Sequence, residues 1–126
     1  MNETDPDLEI VLAAYAAYAR GDITTAVANL HPDVEWTAPD EFPNGGTHRG
    51  RAAVAAYLRA SRDAWYSLRS IPLAHHAGER IVVEHHVEGT QADGTARAAT
   101  VADVFTVRDG QIVHMQAYAD PAEVPR

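Results

Sequence analysis

The sequence predicts an α+β domain whose helices gather on one face of a curved antiparallel sheet. Two observations carry the prediction. Helical periodicity is confined to three stretches between Asp7 and Arg62. From Ser67 onward the chain instead runs through β-branched and aromatic stretches broken at Gly78, Asp93-Gly94 and Asp109-Gly110. Helices and strands that are segregated along the chain, rather than alternating, read as α+β. With 126 residues, the chain fits one domain, 1–126, around a single core.

The first helix is predicted over Asp7–Arg20, where Leu8, Val11, Leu12, Tyr15 and Tyr18 recur at helical spacing and Gly21 ends the run. Asp22 caps a second helix, Ile23–Leu30, which Pro32 stops. Val34–Ala38 reads as a short strand cut off by Pro39, and Asp40–Gly50 as a long polar loop able to act as a lid. Arg51–Arg62 forms the third helix, with Val54, Tyr57 and Leu58 on one stripe. Strands follow at Ser67–His76 and Arg80–Gln91, with His75–Gly78 as the turn between them. Ala96–Val107 and the segment after Gly110 make the closing hairpin. Met1–Pro6 and Pro121–Arg126 are expected as loose ends.

Composition excludes several classes of function. All ten basic residues are Arg, against eighteen acidic ones, and the net charge of −8 repels phosphate backbones, so no nucleic-acid partner is expected. Gly45-Gly46 lacks the Lys-Ser/Thr of a phosphate loop. The first residues are polar and acidic, without a signal-peptide pattern, and no apolar run approaches the ~18 residues of a membrane span. Cysteine is absent, which removes disulfides, thiolate ligands and a thiol nucleophile and suits a cytoplasmic protein.

The residue that does not fit its surroundings is Asp103, in the middle of Val101-Ala102-Asp103-Val104-Phe105-Thr106-Val107. A two-residue turn at Asp109-Gly110 would pair it with Gln116 and mix polar with apolar partners on one face. A three-residue turn, Arg108-Asp109-Gly110, pairs it with Met115 and gathers Val101, Phe105, Val113, Met115 and Ala117 around it. The second register segregates better and places a carboxyl in apolar surroundings, where desolvation raises its pKa. The competing reading is a partly exposed strand Asp paired with an Arg such as Arg97.

Histidines 75, 76, 85 and 86 raise the question of a metal. Adjacent strand residues point to opposite faces, so each pair offers one imidazole per side and no third ligand is indicated. No metal site is predicted. One inward histidine near Asp103 would instead give an acid–base pair.

The order of elements, with Gly21-Asp22, His31-Pro32-Asp33-Val34-Glu35-Trp36, Thr47-His48-Arg49-Gly50-Arg51, Val107–Val113 and Tyr118-Ala119-Asp120, resembles the SnoaL-like branch of the nuclear-transport-factor-2-like superfamily. It is also similar to the bacterial ketosteroid isomerases, over Asp103-Val104 and Met115–Tyr118. The resemblance implies a cone-shaped, curved sheet, antiparallel with a mixed pairing, carrying the three helices on its concave face. Asp103 falls where those isomerases hold a protonated Asp in the oxyanion hole, a case used as a standard example of a raised carboxyl pKa. The position of their general base is Ala38 here and that of their tyrosine is Ala14, with Tyr15 about 100° of helix away and Tyr18 one turn along the matching face. The Asp-Arg-Asp set of the related epoxide hydrolases would fall near Glu88, His86 and Ala117, so it is not preserved either.

What the resemblance leaves is a cavity holding Asp103 as acid or hydrogen-bond donor and His86 as base, with Glu88, Trp36, Tyr18, Tyr57, Phe105 and Met115 binding the ligand. A three-residue turn at Ala92-Asp93-Gly94 would turn His85 inward in place of His86, and only the family alignment favours His86. The implied function is binding of a small hydrophobic, carbonyl-bearing molecule, with cofactor-independent cyclase or isomerase chemistry, in a homodimer formed through the outer face of the sheet. The alternative is a non-catalytic ligand-binding or accessory dimerisation domain.

Overall fold

A computed structural model describes residues 5–125. The chain runs through α1 (Pro6–Ala19), α2 (Ile23–Ala26), β1 (Leu30–Ala38), β2 (Gly46–Arg49), α3 (Arg51–Asp63), β3 (Trp65–Ala77), β4 (Arg80–Gln91), β5 (Ala96–Arg108) and β6 (Gln111–Tyr118), and closes on a 3₁₀ turn, Pro121–Glu123. The six strands form one curved, unclosed sheet in the order β2-β1-β6-β5-β4-β3. Every neighbouring pair is antiparallel except β1 with β6, so the sheet is mixed.

α1 begins where local chemistry dictates. The Oδ1 of Asp5 accepts from the amides of Asp7 and Leu8 at 3.1 and 3.2 Å, and Pro6 takes the first turn, where its missing N–H costs nothing. The other Asp5 oxygen pairs with His76 of β3, which pins the start of the helix to the sheet. At the far end, Arg62 of α3 donates from Nε to the Ala19 carbonyl at 3.1 Å, satisfying a carbonyl at the helix end.

α1 and α3 bury Val11, Tyr15 and Val54 against one face of the sheet, supplied by Val34 and Trp36 (β1), Ile81 and Val83 (β4), Phe105 (β5), and Ile112, Met115 and Ala117 (β6). Burying each such side chain contributes roughly 1.5–3 kcal/mol, so this layer is the main source of stability.

The structure corrects several boundaries. The second helix stops at Ala26, and Leu30 already belongs to β1, where it pairs with Ile112. Pro32, which cannot donate to a ladder, sits in the irregular stretch between the Leu30 and Glu35 pairs. The expected 40–50 loop contains a strand, because Thr47 pairs with Thr37 through both backbone and hydroxyls (2.9 Å) and Arg49 meets Glu35 at 2.9 Å. His75 and His76 lie within β3, and the β3–β4 turn is Gly78-Glu79, since Ala77 pairs with Arg80. The loose ends are shorter than expected: Asp5 and Pro6 open α1, and Asp120 and Glu123 close a capping box around the 3₁₀ turn. The remainder of the expected N-terminal tail, 1–4, and Arg126 lie outside the described residues.

Neither sequence register of the closing hairpin is the observed one. Arg108 pairs with Gln111 across a two-residue turn in which Asp109 and Gly110 take φ of 51° and 77°, as a type I′ turn requires. The register then slips by one residue between Val107 and Thr106, leaving Val113 as the extra residue of a bulge. Beyond it Asp103 pairs with Ala117 and Phe105 with Met115. The two-residue turn alone would have opposed Asp103 to Gln116. The bulge restores the side-chain parity, so Asp103, Phe105, Met115 and Ala117 share the helix-covered face.

Candidate functional site

The site is built on the middle of β5. Asp103 pairs with Val83 on one side and Ala117 on the other, both buried, so its carboxyl rises from an apolar floor. Tyr15, reaching down from α1, donates its hydroxyl to Asp103 Oδ2. Its ring meets Phe105 edge-on at 5.9 Å, and Phe105 meets Trp36 in the same manner at 5.8 Å. Asp103 is largely enclosed by protein and keeps a small part of its surface accessible.

That setting fixes the protonation states. Burial pushes the Asp103 carboxyl from 3.8 to about 6, against the opposing effect of the Tyr15 hydrogen bond. Burial and then the Asp103 charge push the Tyr15 phenol well up. Burial, followed by the charges of Asp103 and Tyr18, pushes Tyr57 up to about 12. Tyr18 is also raised, chiefly by burial, and shares a 2.7 Å hydrogen bond with Ser61 of α3. At neutral pH the three phenols are therefore protonated hydrogen-bond donors grouped about one carboxyl.

The histidine on this face is His85, and the choice of His86 is corrected. Residues 91 and 95 close the β4–β5 loop through a 2.8 Å backbone hydrogen bond, which makes Ala92-Asp93-Gly94 a three-residue turn and pairs Val83 with Asp103 and His85 with Val101. His85 is 7% exposed and packs edge-on against Tyr15 with centroids 4.6 Å apart, and its Nε2 lies 2.6 Å from Ser70 Oγ. Burial, with the His86 charge adding to it, lowers its pKa to about 4 and keeps the ring neutral. His86 points to the opposite face, with Nδ1 2.8 Å from Thr100 Oγ1. Glu88 is on that outer side too, 3.8 Å from His86 and 3.6 Å from Arg69.

Of the remaining residues singled out in the sequence, Trp36, Phe105 and Met115 are 9%, 2% and 2% exposed and form the packed floor. Tyr57 is half-buried on α3 and stacks on His48 of β2 at 4.7 Å, which ties it to the 40–50 segment. Tyr15, His85, Ser61 and Ser70 are the members that sequence reasoning did not assign. Tyr15 had a signal, because it stands next to Ala14 on a helix whose exact rotation sequence cannot give. Ala38, at the position where a general base is found in the isomerases, is buried and brings no polar group.

Two other features do not add to the site. A wide groove of about 710 Å³ lies at the far end of β3–β5, between Ser67, Arg69, Glu88, Gly89 and Arg97, and contains neither Asp103 nor Tyr15. Among the described residues no cluster of three or more His, Asp or Glu side chains is placed to hold a metal ion, and no helix is long and apolar enough to cross a membrane.

Comparison with known proteins agrees with this architecture. The SnoaL-like domain model matches residues 11–115. A nuclear transport factor 2-like protein of unknown function from Burkholderia pseudomallei K96243 superposes with a TM-score of 0.81, at 30% identity and with 95% of each chain covered. TerC, crystallised with polyporic acid, gives 0.80 at 30% identity over 94% of each chain. A candidate polyketide cyclase from Xanthomonas campestris pv. campestris gives 0.73 at 29% identity, covering 94% of this chain and 93% of its own. With the family match spanning both helices and sheet, the chain belongs to the SnoaL-like domain family of the nuclear-transport-factor-2-like superfamily.

Proposed function

We propose that this protein binds a small, largely apolar, carbonyl-bearing molecule in a recess over Asp103 and moves a proton on it without a cofactor, in a reaction of the cyclase or isomerase type. The observation that carries the reading is the Tyr15–Asp103 hydrogen bond set among the buried apolar side chains of the helix-covered face. The crystallisation of TerC with polyporic acid supports small-molecule binding by this fold, and the polyketide-cyclase-like neighbour supports the reaction type.

The Tyr15 contact and the carboxyl's pKa support giving Asp103 the part of a base in place of the acid or hydrogen-bond donor. A carboxyl titrating at about 6 is ionised in roughly nine molecules of ten at pH 7. Because Tyr15 donates to it, the group arrives as a carboxylate, a proton acceptor poised close to the operating pH. Asp103 removes a proton from the carbon next to the ligand's carbonyl, and the electron pair of the broken C–H bond moves into the enolate. In an isomerase the proton returns from Asp103 to a different carbon. In a cyclase the enolate carbon forms a bond to a second carbonyl carbon, and the Asp103 proton goes to the resulting alkoxide. One carboxyl serves both directions, which suits a site with alanines at positions 14 and 38. Tyr18, Tyr57 and the Trp36–Phe105–Met115 floor shape the recess.

The same proposal includes a homodimer through the outer sheet face, supported by Leu73, 63% exposed on the row that also carries Glu84, and a cytoplasmic location, supported by the absence of cysteine. The test of the reaction is α-proton exchange of 2-tetralone in D₂O. The protein accelerates exchange, and Asp103→Asn reduces the acceleration by about 10²-fold or more while the ketone still binds. Acceleration that survives Asp103→Asn refutes the role given to Asp103, and a wild type that binds the ketone without accelerating exchange supports the non-catalytic ligand-binding alternative.

A further inference from the structure

Building on the proton-transfer reading above, we infer that Ser70 locks His85 in its Nδ1–H tautomer, so that the imidazole donates a hydrogen bond to the ligand oxygen on which negative charge develops. Ser70 is thus a positioning residue, and His85 a binding residue for the carbonyl or enolate oxygen.

The argument starts from hydrogen atoms. A serine hydroxyl carries one, and a neutral imidazole carries one on either nitrogen. The 2.6 Å Ser70–His85 contact can be made in two ways. If Nε2–H donated, the Ser70 hydrogen would need another acceptor, and among the described residues Ser70 Oγ has no second partner. If Ser70 donates, its hydrogen is used and Nε2 is the acceptor, which sends the ring proton to Nδ1. Each arrangement leaves one donor without a protein partner, the Ser70 hydroxyl in the first and Nδ1–H in the second, and the second puts that donor on the ring edge that keeps access to open space, where it costs least.

The open edge of the ring then matters. His85 Nδ1 has no protein partner among the described residues, yet no buried side-chain nitrogen or oxygen is left unsatisfied, so Nδ1 keeps access to open space. The ring lies on the same sheet face as Asp103, in the diagonal position of the β4–β5 ladder, and against Tyr15. Tyr15 is already committed to Asp103, and Tyr18 shares its hydroxyl with Ser61. The His85 N–H is therefore a donor next to the carboxylate that no protein group occupies. A ring whose pKa is about 4 is a weak base at neutral pH, and its neutral N–H fits electrophilic assistance, aimed where charge appears in the transition state.

The experiment uses the full chain with ¹⁵N-labelled histidine. Long-range ¹H–¹⁵N spectra at pH 7 show His85 with Nδ1 protonated and Nε2 bare. Ser70→Ala moves the ring toward the Nε2–H form that free imidazole side chains favour, and Ser70→Thr, which keeps a hydroxyl, restores the native tautomer. Affinity for 2-naphthol, a phenol/phenolate probe for the oxygen site, falls about three- to tenfold in Ser70→Ala and recovers in Ser70→Thr. An Nε2–H ring in the wild type, or a tautomer indifferent to Ser70→Ala, overturns the inference. A tautomer that responds while 2-naphthol affinity does not overturns the ligand contact. Since the nitrogen shifts do not depend on turnover, failure of this inference and failure of Asp103-dependent exchange are separately visible.

Discussion

Replacing Asp103 by Asn isolates an opposition between two buried groups whose contributions to the pH dependence of stability nearly cancel in the wild type. Between pH 3.8 and about 6 the folded protein holds a proton on Asp103 that the unfolded chain has released, so this group's contribution to stability declines as pH rises through that window. The move from 3.8 to about 6 corresponds to about 3 kcal/mol, imposed in full above pH 6. His85 does the reverse. Its folded pKa of about 4 lies below the ordinary 6.5, so the unfolded chain binds the extra proton and stability climbs as pH rises from about 4 to 6.5, again by about 3 kcal/mol. In the wild type the two slopes cancel over pH 4–6. In Asp103→Asn the His85 slope stands alone. The variant should match the wild type near pH 4 and exceed it by about 3 kcal/mol at pH 7. Urea unfolding in steps from pH 4 to 7, with m-values checked for constancy, reads this directly. Exposed carboxylates such as Asp5, Asp22 and Asp93, which hydrogen bonds hold below the usual range, are common to both proteins and drop out of the difference. Parallel stability curves for the two proteins would refute the burial argument and with it the raised Asp103.

Three further outcomes follow from named contacts. Tyr15→Phe removes the hydroxyl that holds the Asp103 pKa down, so the carboxyl titrates above about 6, and ¹³C spectra of labelled aspartate should show the midpoint moving upward; an unmoved midpoint contradicts the hydrogen bond. Gly89→Ala should lower stability by about 1–3 kcal/mol, because a Cβ at this position would stand 2.1 Å from the Ser67 carbonyl oxygen of the neighbouring strand, and an unchanged urea midpoint would show that β3 and β4 can separate there without penalty. Asp5→Ala removes the α1 cap together with the link to His76, so hydrogen exchange at Asp7 and Leu8 should quicken while the core amides of β5 stay protected; equal protection in the variant would mean that the cap is idle.

Much of the fold could be read from the sequence because the informative signals are local. The period of Leu8–Tyr18, the capping aspartate at 22 and the glycines at 78, 94 and 110 act within a few residues, and the helices and the four long strands follow from them. β2 was illegible for the opposite reason. A four-residue edge strand rich in Gly, Thr, His and Arg has no pattern of its own, and it exists because β1 offers a ladder to pair with. The irregular start of β1 is similar: Pro32 marks a helix stop in isolation, and only the parallel partner β6 draws Leu30 into the sheet.

The site shows where local reasoning and likeness part company. For Asp103, the turn at Asp109-Gly110 and the bulge at Val113 each displace the register by one residue, and the side chain reaches the helix-covered face because the two displacements act together. Hydrophobic segregation predicted that facing without predicting the bulge, since burying Phe105 and Met115 on the same side demands the same parity whatever device supplies it. For the histidine pair the residues themselves carried the answer. The three-residue turn at Ala92-Asp93-Gly94 places His85 with Val83 on the Asp103 face, while alignment with distant relatives chose His86. An aligned position transfers only while loop lengths are conserved, whereas pairing across a turn is fixed by the turn within this chain. When the two disagree over adjacent strand residues, the turn should decide. Here that choice puts a neutral imidazole, and not a solvent-exposed one paired to Glu88, beside the carboxylate.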